Sequence, residues 1–256
     1  MGPRITIEDE DRGTWALLDA GPAADAARAK RALIVLAGAG FAAGRLLVEA
    51  GRTRGVVAAD AGAVLCLAAD LVPDAVVGDF DSLPDAARTR LDPALLHRST
   101  DDGTNDLEKA LEWVAAHWPG CDEVVLAAGG NVDGGRMDHA LANLGPVVHE
   151  PHGRVSMVDG EGRLFALRSG RATLGGLAGH RLSLLPWSLH GVRVSEAGVR
   201  YPLERALLFL GGRGVSNEVT GDEAVVTVHE GVALVWVESC PRPTGPRWRA
   251  RRRRSR

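Results

Sequence analysis

Lysine is scarce in this sequence: only Lys30 and Lys109 occur among 30 basic residues. Neither lysine follows a glycine, which excludes the Gly-Lys-Ser/Thr turn of a P-loop nucleotide site. The VAIK and HRD motifs of protein kinases and the GxSxG turn of serine hydrolases are also absent. A phosphate site in this chain must therefore be built from other groups.

Cysteines and long apolar runs are scarce as well. The three cysteines, Cys66, Cys121 and Cys240, are far apart and form no CxxC pair, so the sequence predicts neither a disulfide framework nor a zinc site. This usage is typical of a reducing compartment, and we expect a cytoplasmic location. No apolar run reaches the roughly 18 residues of a membrane span, and the start, MGPRITIEDEDR, lacks the order of a signal peptide. We therefore expect no membrane association.

Charge is distributed unevenly along the chain. The net charge is −3, but residues 241–256 contain eight arginines and no acid, which leaves residues 1–240 at −11. An acidic body disfavours nucleic-acid binding over the whole surface. The arginine-rich segment is poor in apolar residues and predicts a disordered tail, with nucleic-acid binding through this tail as the least favoured function.

The order of apolar segments predicts an α/β domain with a mostly parallel sheet, followed by an all-β domain like a sandwich or barrel. In the first half, apolar strands at 32–36, 55–59, 75–77 and 123–128 alternate with helical patterns, the clearest of which spans 105–118. After Pro146 the chain offers short β-rich pieces at a spacing typical of antiparallel strands. We place the domains at 1–148 and 149–240, with residues 241–256 as the tail.

Two acidic clusters predict a metal site. Asp79 and Asp81 directly follow a predicted strand, so both carboxylates can face the carboxyl end of a parallel sheet, where such sheets bind ligands. A second cluster, TDDGTND, ends at Asp106 beside a predicted helix. Grouped carboxylates repel each other unless a cation lies between them, and Mg²⁺ prefers such oxygen ligands. The alternative is that these residues only cap turns and helices, through Asp81 or Ser82 in the first cluster and Thr104 or Asn105 in the second.

A glycine-rich loop predicts a phosphate site. Four glycines in GGNVDGGRMDH, residues 129–139, let backbone N–H groups approach an anion, and Arg136 adds a guanidinium fork. The helix predicted after this loop would present its N-terminus to the same place. A plain loop rich in turn-forming residues is the alternative.

Phosphatases of the haloacid dehalogenase type share part of this pattern, with an Asp-x-Asp motif after a strand and a later acidic loop. They need a lysine between the two motifs, and none lies between Asp81 and Asp106. A Mg²⁺-dependent phosphohydrolase, or another nucleotide-dependent transferase acting on a related small molecule, stays open as the alternative function.

Five motifs together resemble the thiamine pyrophosphokinase family. GDFDS, TDDGTNDLEKAL, GGRMDHALANL, GVRYPLERALL and VSNEV follow one another between Leu33 and Val237, in the order that the family has. The resemblance implies an α/β domain that binds Mg–ATP, a β-sandwich that helps to bind thiamine, and a homodimer with active sites at the subunit interface. It also implies transfer of a diphosphoryl group from ATP to the hydroxyl of thiamine, with release of AMP.

The resemblance implies roles for individual residues. Asp79, Asp81 and Asp106 would be the catalytic and magnesium-binding residues, and either Asp81 or Asp106 would accept the proton of the thiamine hydroxyl. The ATP- and phosphate-binding residues would be Asp60, Gly130, Gly134, Gly135, Arg136, Asp138 and His139. The thiamine-binding residues would be Tyr201, Ser216 and Asn217.

The sequence departs from the family pattern in three motifs. Residues 59–64 read ADAGAV, where the family usually has ADGGAN, and the acidic motif is one residue longer than the usual DxTD. The glycine loop GGNVDGGR is also longer than in many members of the family. For the thiamine candidates, the alternatives are that Tyr201 is a half-buried strand residue and that Ser216 and Asn217 form a plain turn.

Overall fold

A computed structural model describes residues 3–9, 13–18, 28–38, 40–101, 103–130, 136–150 and 154–239 of the chain. Within these ranges, fourteen strands form one mixed sheet. The predicted tail, residues 241–256, lies outside the described residues.

Six neighbouring strands form the parallel part of the sheet, in the order β8-β7-β3-β4-β5-β6. They are β3 (Arg31–Val35), β4 (Gly55–Ala59), β5 (Ala75–Gly78), β6 (Leu96–Arg98), β7 (Glu123–Ala127) and β8 (Val155–Val158). Every residue of β3, β4 and β5 is buried, as expected for short apolar strands covered on both faces. The four strands predicted in the first half are confirmed, with ends that differ by at most one residue.

Six helices accompany this part of the sheet in the described residues. They are α1 (Ala43–Ala50), α2 (Gly62–Ala68), α3 (Asp85–Arg88), α4 (Asp106–His117), α5 (Met137–Ala142) and α6 (Leu144–His149). Alternate residues of β3 point to opposite faces, so Ile34 packs in a cluster with α4 and α6, and Leu33 in a cluster with α1 and α2. None of the helices in the described ranges is long and apolar enough to cross a membrane.

Helix α4 confirms the helix predicted over 105–118. Leu107 and Val114 are buried against the sheet, and the helix ends before Pro119-Gly120. Asn105 is its N-cap: the Asn105 side chain accepts a hydrogen bond from the Glu108 N–H, and the Glu108 carboxylate accepts one from the Asn105 N–H. This capping box fixes where the helix begins and therefore where Asp106 stands.

The rest of the sheet is antiparallel and is built on two long strands, β9 (Gly162–Gly175) and β14 (Glu223–Glu238). Around them lie β1 (Arg4–Asp9), β2 (Gly13–Leu18), β10 (Arg181–Pro186), β11 (Val192–Ala197), β12 (Leu203–Leu208) and β13 (Asn217–Glu218). Their inward residues, such as Phe165, Leu182 and Val235, form a core separate from those of the helical part. The predicted order, α/β first and β-rich second, is confirmed.

Three elements differ from the sequence predictions. EAVVTVHEG and VALVWVE form one strand, β14, rather than two, since the pairing with β9 continues past an irregularity that contains Gly231 at φ +86°. The N-terminal hairpin of β1 and β2 was not predicted, and it pairs with β9. Strand β8 pairs in parallel with β7, although its sequence was grouped with the antiparallel pieces.

The sheet is continuous across the predicted domain boundary, since β8 hydrogen-bonds to β7 on one side and to β9 on the other. A division at 148/149 therefore separates two strand patterns and two cores, but the hydrogen bonding of the sheet continues across it. The domain limits stay a prediction.

Candidate active site

The order of the parallel strands reverses between β3 and β7. Strands β4, β5 and β6 extend the sheet on one side of β3, whereas β7 and β8 extend it on the other. Open α/β sheets bind ligands at such a switch point, beyond the carboxyl ends of the strands. A cleft of about 770 Å³ lies there, lined by residues that follow β3, β4, β5 and β7 and by residues at the beginning of α4 and in α5.

Three carboxylates meet in this cleft. Asp60 follows β4, and Asp79 and Asp81 follow β5; each offers one oxygen, and these oxygens lie within 4.8 Å of one another. No other group of three or more acidic, histidine or cysteine side chains in the described ranges is close enough to share an ion. Asp79 and Asp81 were predicted to lie together, whereas Asp60 had been assigned to ATP.

Local backbone geometry brings Asp60 into the group. Its N–H donates to the Val77 carbonyl at 2.8 Å, and its φ of +41° turns the chain over the end of β5. Gly78 makes this approach possible, because a Cβ at Gly78 would lie 2.9 Å from the Cβ of Asp60 and 3.3 Å from Oδ1 of Asp106. Glycine at this position therefore lets the side chains of Asp60 and Asp106 pack closely against the end of β5.

Hydrogen bonds within the GDFDS turn fix the other two acids. Asp79 Oδ1 accepts from the Asp81 N–H at 3.0 Å, and the Ser82 hydroxyl donates to Asp81 Oδ1 at 2.9 Å. The alternative that Asp81 or Ser82 is a helix N-cap is wrong, because α3 begins at Asp85 with Pro84 at its N-cap position. Both carboxylates stay directed at the cleft, which they line.

The environment of Asp60 in the cleft disfavours the ionised form of its carboxyl group. Burial, together with the charges of Asp106, Asp79 and Asp81, raises the pKa of Asp60 to about 6, against one hydrogen bond from the Ser82 N–H that lowers it. The residue is 2% exposed, and its Oδ1 has no hydrogen-bond partner within the described residues. A cation beside this oxygen would satisfy it and reduce the repulsion among the three acids, so the residues fit a divalent ion.

Lys109 connects the two acidic clusters and was missed as a site residue. Its side chain is 5% exposed, and Nζ lies 3.5 Å from Asp106 Oδ1 and 3.8 Å from Asp79 Oδ2. Burial raises the pKa of Asp106, and Lys109 opposes this shift. The signal was present in the sequence, since Lys109 stands three residues after Asp106 and therefore on the same face of α4.

The phosphate-binding candidates lie partly in the cleft. Arg136 and His139 line it, whereas Gly130 and Asp138 do not, and Gly134 and Gly135 are outside the described residues. Asp138 instead accepts hydrogen bonds from Arg136, with Nε to Oδ1 at 2.9 Å and Nη2 to Oδ2 at 2.6 Å. The Arg136 guanidinium lowers the pKa of Asp138 to about 2.

The thiamine candidates lie together in the antiparallel part, and none of them lines the cleft of the same chain. The Asn217 side chain accepts from the Tyr201 N–H at 3.0 Å and donates to the Tyr201 carbonyl at 2.9 Å. Ser216 directly precedes Asn217, has φ +59°, and donates its N–H to the Ser183 hydroxyl at 2.9 Å. The loop that carries Tyr201 is thereby attached to the segment that carries Ser216.

Tyr201 lies in the loop between β11 and β12, and 65% of its surface is exposed. The alternative that it is a half-buried strand residue is therefore wrong. Asn217 is 4% exposed and also donates to Glu196 Oε2 at 3.1 Å. Its amide is thus occupied within the fold, whereas the ring of Tyr201 is exposed, with the Arg200 guanidinium carbon 5.9 Å from the ring centroid.

An α/β sheet with a cleft and clustered acids at its switch point defines a class of ligand-binding α/β proteins, and the acids are of the kind that can hold a divalent ion. The particular family follows from sequence comparison. Residues 50–157 match the family model described as thiamin pyrophosphokinase, catalytic domain, and residues 174–233 match the thiamin pyrophosphokinase, vitamin B1 binding domain. The two matches together span more than half of the chain, which belongs to the thiamin pyrophosphokinase family of enzymes.

Individual relatives agree with this assignment. The chain is 25% identical to thiamine pyrophosphokinase of Bacillus subtilis (strain 168) over 186 residues, which cover 70% of this chain and 85% of the relative. It is 25% identical to thiamine pyrophosphokinase 1 of Oryza sativa subsp. japonica over 65% of this chain and 66% of that one.

Solved structures share the fold. The crystal structure of the Bacillus subtilis thiamine pyrophosphokinase superposes with a TM-score of 0.68 at 23% identity, over 82% of this chain and all of that one. The thiamin pyrophosphokinase of Candida albicans gives a TM-score of 0.70 at 16% identity, over 93% of this chain and 99% of that one. The α/β part and the β-rich part of the structure are therefore both those of this fold.

Proposed function

We propose that this enzyme transfers the diphosphoryl group of ATP to the hydroxyl of thiamine, giving thiamine diphosphate and AMP. The observation that carries the proposal is the group formed by Asp60, Asp79 and Asp81 in a cleft of about 770 Å³. This volume lies within the roughly 300–1,000 Å³ of small-molecule sites, so the cleft has room for a nucleotide. The match to a catalytic and a vitamin B1 binding domain of one family supports the same reaction.

Mg²⁺ would be held by Asp79 and Asp81 together with the unpartnered oxygen of Asp60. Asp106, which the sequence analysis also assigned to the metal, borders this group through Lys109. When bound, the ion would neutralise triphosphate charge, which is most of what phosphoryl transfer requires of its catalyst. Lys109 and Arg136 then provide the cationic side chains of the cleft that can contact phosphate oxygens.

The thiamine hydroxyl needs a group that accepts its proton. The sequence left Asp81 and Asp106 as candidates, and the structure favours Asp106 for two reasons. Asp106 stands outside the group of three metal-binding acids, and burial raises its pKa, which makes it a better proton acceptor than an ordinary aspartate.

Thiamine would be bound by Tyr201 and Ser216, with Asn217 holding the Tyr201 loop. Since none of these residues lines the cleft of its own chain, we propose a homodimer in which they complete the site of the partner subunit. Apolar side chains exposed in the same antiparallel part support this arrangement: Trp187, Leu189, Leu207, Phe209, Leu210 and Val215. Sedimentation equilibrium would detect twice the chain mass of 27.0 kDa; a single 27.0 kDa species at micromolar concentration would contradict the dimer.

Product analysis tests the reaction. The protein is incubated with ATP, Mg²⁺ and thiamine, and AMP, ADP, inorganic phosphate and thiamine diphosphate are quantified. We expect AMP and thiamine diphosphate in equal amounts, and no turnover after chelation of the metal. ADP would indicate transfer of a single phosphoryl group, and inorganic phosphate without a thiamine product would indicate the phosphohydrolase. A cytoplasmic location stays a prediction from the cysteine usage of the sequence.

A further inference from the structure

A second pocket contains three arginines and lies apart from the cleft. Its volume is about 110 Å³, and it is located where α1 meets the ends of β1, β9 and β14. Arg45 and Arg52 reach it from α1 and the turn that follows, and Arg163 reaches it from β9. The proposed reaction uses none of these residues.

Positive charge exceeds negative charge in this pocket. The three arginines share one buried carboxylate, that of Glu49, at distances of 2.7 Å for Arg163, 3.3 Å for Arg45 and 3.5 Å for Arg52. The other acid at the pocket, Glu238, is paired with Arg181 at 2.9 Å. Glu123, which also acts on Arg163, is paired with Arg31 at 2.7 Å, so Glu49 is the one carboxylate left for the three guanidinium groups of the pocket.

Water compensates this excess only in part, because the arginines are largely buried. The exposed fractions of the side chains are 4% for Arg163, 21% for Arg45 and 36% for Arg52. Arg45 Nε and Glu49 Oε1 are both buried, and neither has a hydrogen-bond partner within the described residues. Burial also lowers the pKa of Arg163, so this guanidinium is held in a surrounding that opposes its charge. An anion in the pocket would balance the excess charge.

We propose that this pocket is a binding site for a small tetrahedral oxyanion of the phosphate class. Guanidinium forks match the oxygens of such an ion, and the volume admits one ion but not a nucleotide. The ion would connect Arg45 and Arg52 of the α/β part with Arg163 of the antiparallel part, and its binding would stabilise the folded chain. This inference does not depend on the proposed reaction.

Titration calorimetry with inorganic phosphate, at constant ionic strength and in the presence of EDTA, tests the site. Without a divalent ion the cleft carries the charges of Asp60, Asp79, Asp81 and Asp106 and does not attract phosphate. We expect one phosphate per chain and a rise in Tm that increases with phosphate concentration. Acetate should bind at least about tenfold more weakly, since one planar carboxylate cannot satisfy three guanidinium groups. AMP should also bind at least about tenfold more weakly than phosphate, because the pocket has no room for a nucleoside.

Arg52→Gln is the main variant because the Arg52 side chain is the most exposed of the three arginines. Its replacement should therefore disturb the fold less than replacement of Arg45 or Arg163. We expect it to weaken phosphate binding about tenfold, and Arg45→Gln combined with Arg52→Gln to abolish it. Arg90→Gln, which removes one exposed arginine outside both pockets, is the matched control and should change the affinity less than twofold. Circular dichroism verifies that each variant is folded.

Two results would overturn the proposal. One is the absence of saturable phosphate binding to the wild-type protein at up to about 50 mM, a concentration at which charge-assisted contacts from three arginines would be occupied. The other is an equal loss of phosphate affinity in Arg52→Gln and Arg90→Gln, which would show that phosphate binding depends only on the overall charge of the protein. The eight arginines of residues 241–256 are present in every variant and so cancel in the comparison.

Discussion

Glu196→Gln should stabilise the protein, and the gain should grow with pH. Glu196 lies on β11, is 1% exposed, and accepts one hydrogen bond, from Asn217; its other oxygen has no hydrogen-bond partner within the described residues. Burial raises the pKa of Glu196 from 4.5 to about 7. A glutamine keeps an oxygen for Asn217 and carries no titrating proton.

The magnitude follows from the difference in pKa between the folded and unfolded chains. Between pH 4.5 and pH 7 the unfolded chain has released the proton that the folded chain retains, so stability falls as pH rises, by about 1.4 kcal/mol per unit. The penalty is absent below pH 4.5 and levels off above pH 7 at about 3 kcal/mol. The stability of the variant relative to wild type should therefore be about 3 kcal/mol more favourable at pH 8 than at pH 4.5.

Urea unfolding at pH 5, 6, 7 and 8 measures this difference, and groups other than Glu196 cancel between the two proteins. Glu204→Gln removes an exposed carboxylate from the adjacent strand β12 and controls for the loss of one negative charge. A difference between Glu196→Gln and wild type that is constant over this range would refute the reasoning, because it would show that Glu196 ionises alike in both states.

Three further predictions concern the cleft and the thiamine candidates. Lys109→Met should lower kcat by about 100-fold and Lys109→Arg should recover part of the loss, because phosphoryl transfer requires positive charge beside the transferred group. Steady-state kinetics would measure both effects, and an unchanged kcat would contradict a role of Lys109 in the cleft. Gly78→Ala should destabilise the fold by about 1–3 kcal/mol through overpacking against Asp60, and it should weaken Mg²⁺ binding. Thermal melting measures the first effect and calorimetry the second; wild-type values for both would contradict the close approach of Asp60 to Gly78. Ser216→Ala should raise the KM for thiamine and leave the KM for ATP nearly unchanged, whereas an equal effect on both constants would argue against a thiamine contact.

The parallel strands and α4 could be predicted because their signals are local. Short buried apolar runs and a 3.6-residue period are properties of each segment alone, and the position of acids just after β5 placed them at the carboxyl end of the sheet. The pairing of β8 could not be predicted in this way, since all of its residues are buried and neither an alternating pattern nor a turn distinguishes a parallel from an antiparallel neighbour.

The composition of the acidic group depended on contacts that no local pattern contains. Asp60 joins Asp79 and Asp81 because β4 and β5 are neighbours and because Gly78 leaves room between them. Lys109 was predictable in principle from its spacing to Asp106, but its burial between two acids is a property of the packed sheet. The β-rich neighbours of Tyr201 made a strand position a plausible alternative, whereas hydrogen bonds to Asn217 hold Tyr201 in a loop.

The central claim is that the acids beyond β4 and β5 support transfer of the outer two phosphates of ATP to thiamine. Transfer of label from ATP carrying ³²P at the β-phosphorus tests it most directly. The account predicts that the label appears in thiamine diphosphate and that AMP is unlabelled, with both products lost in Asp81→Asn while the fold survives by thermal melting. Label retained in ADP, or unchanged transfer by Asp81→Asn at limiting Mg²⁺, would contradict it.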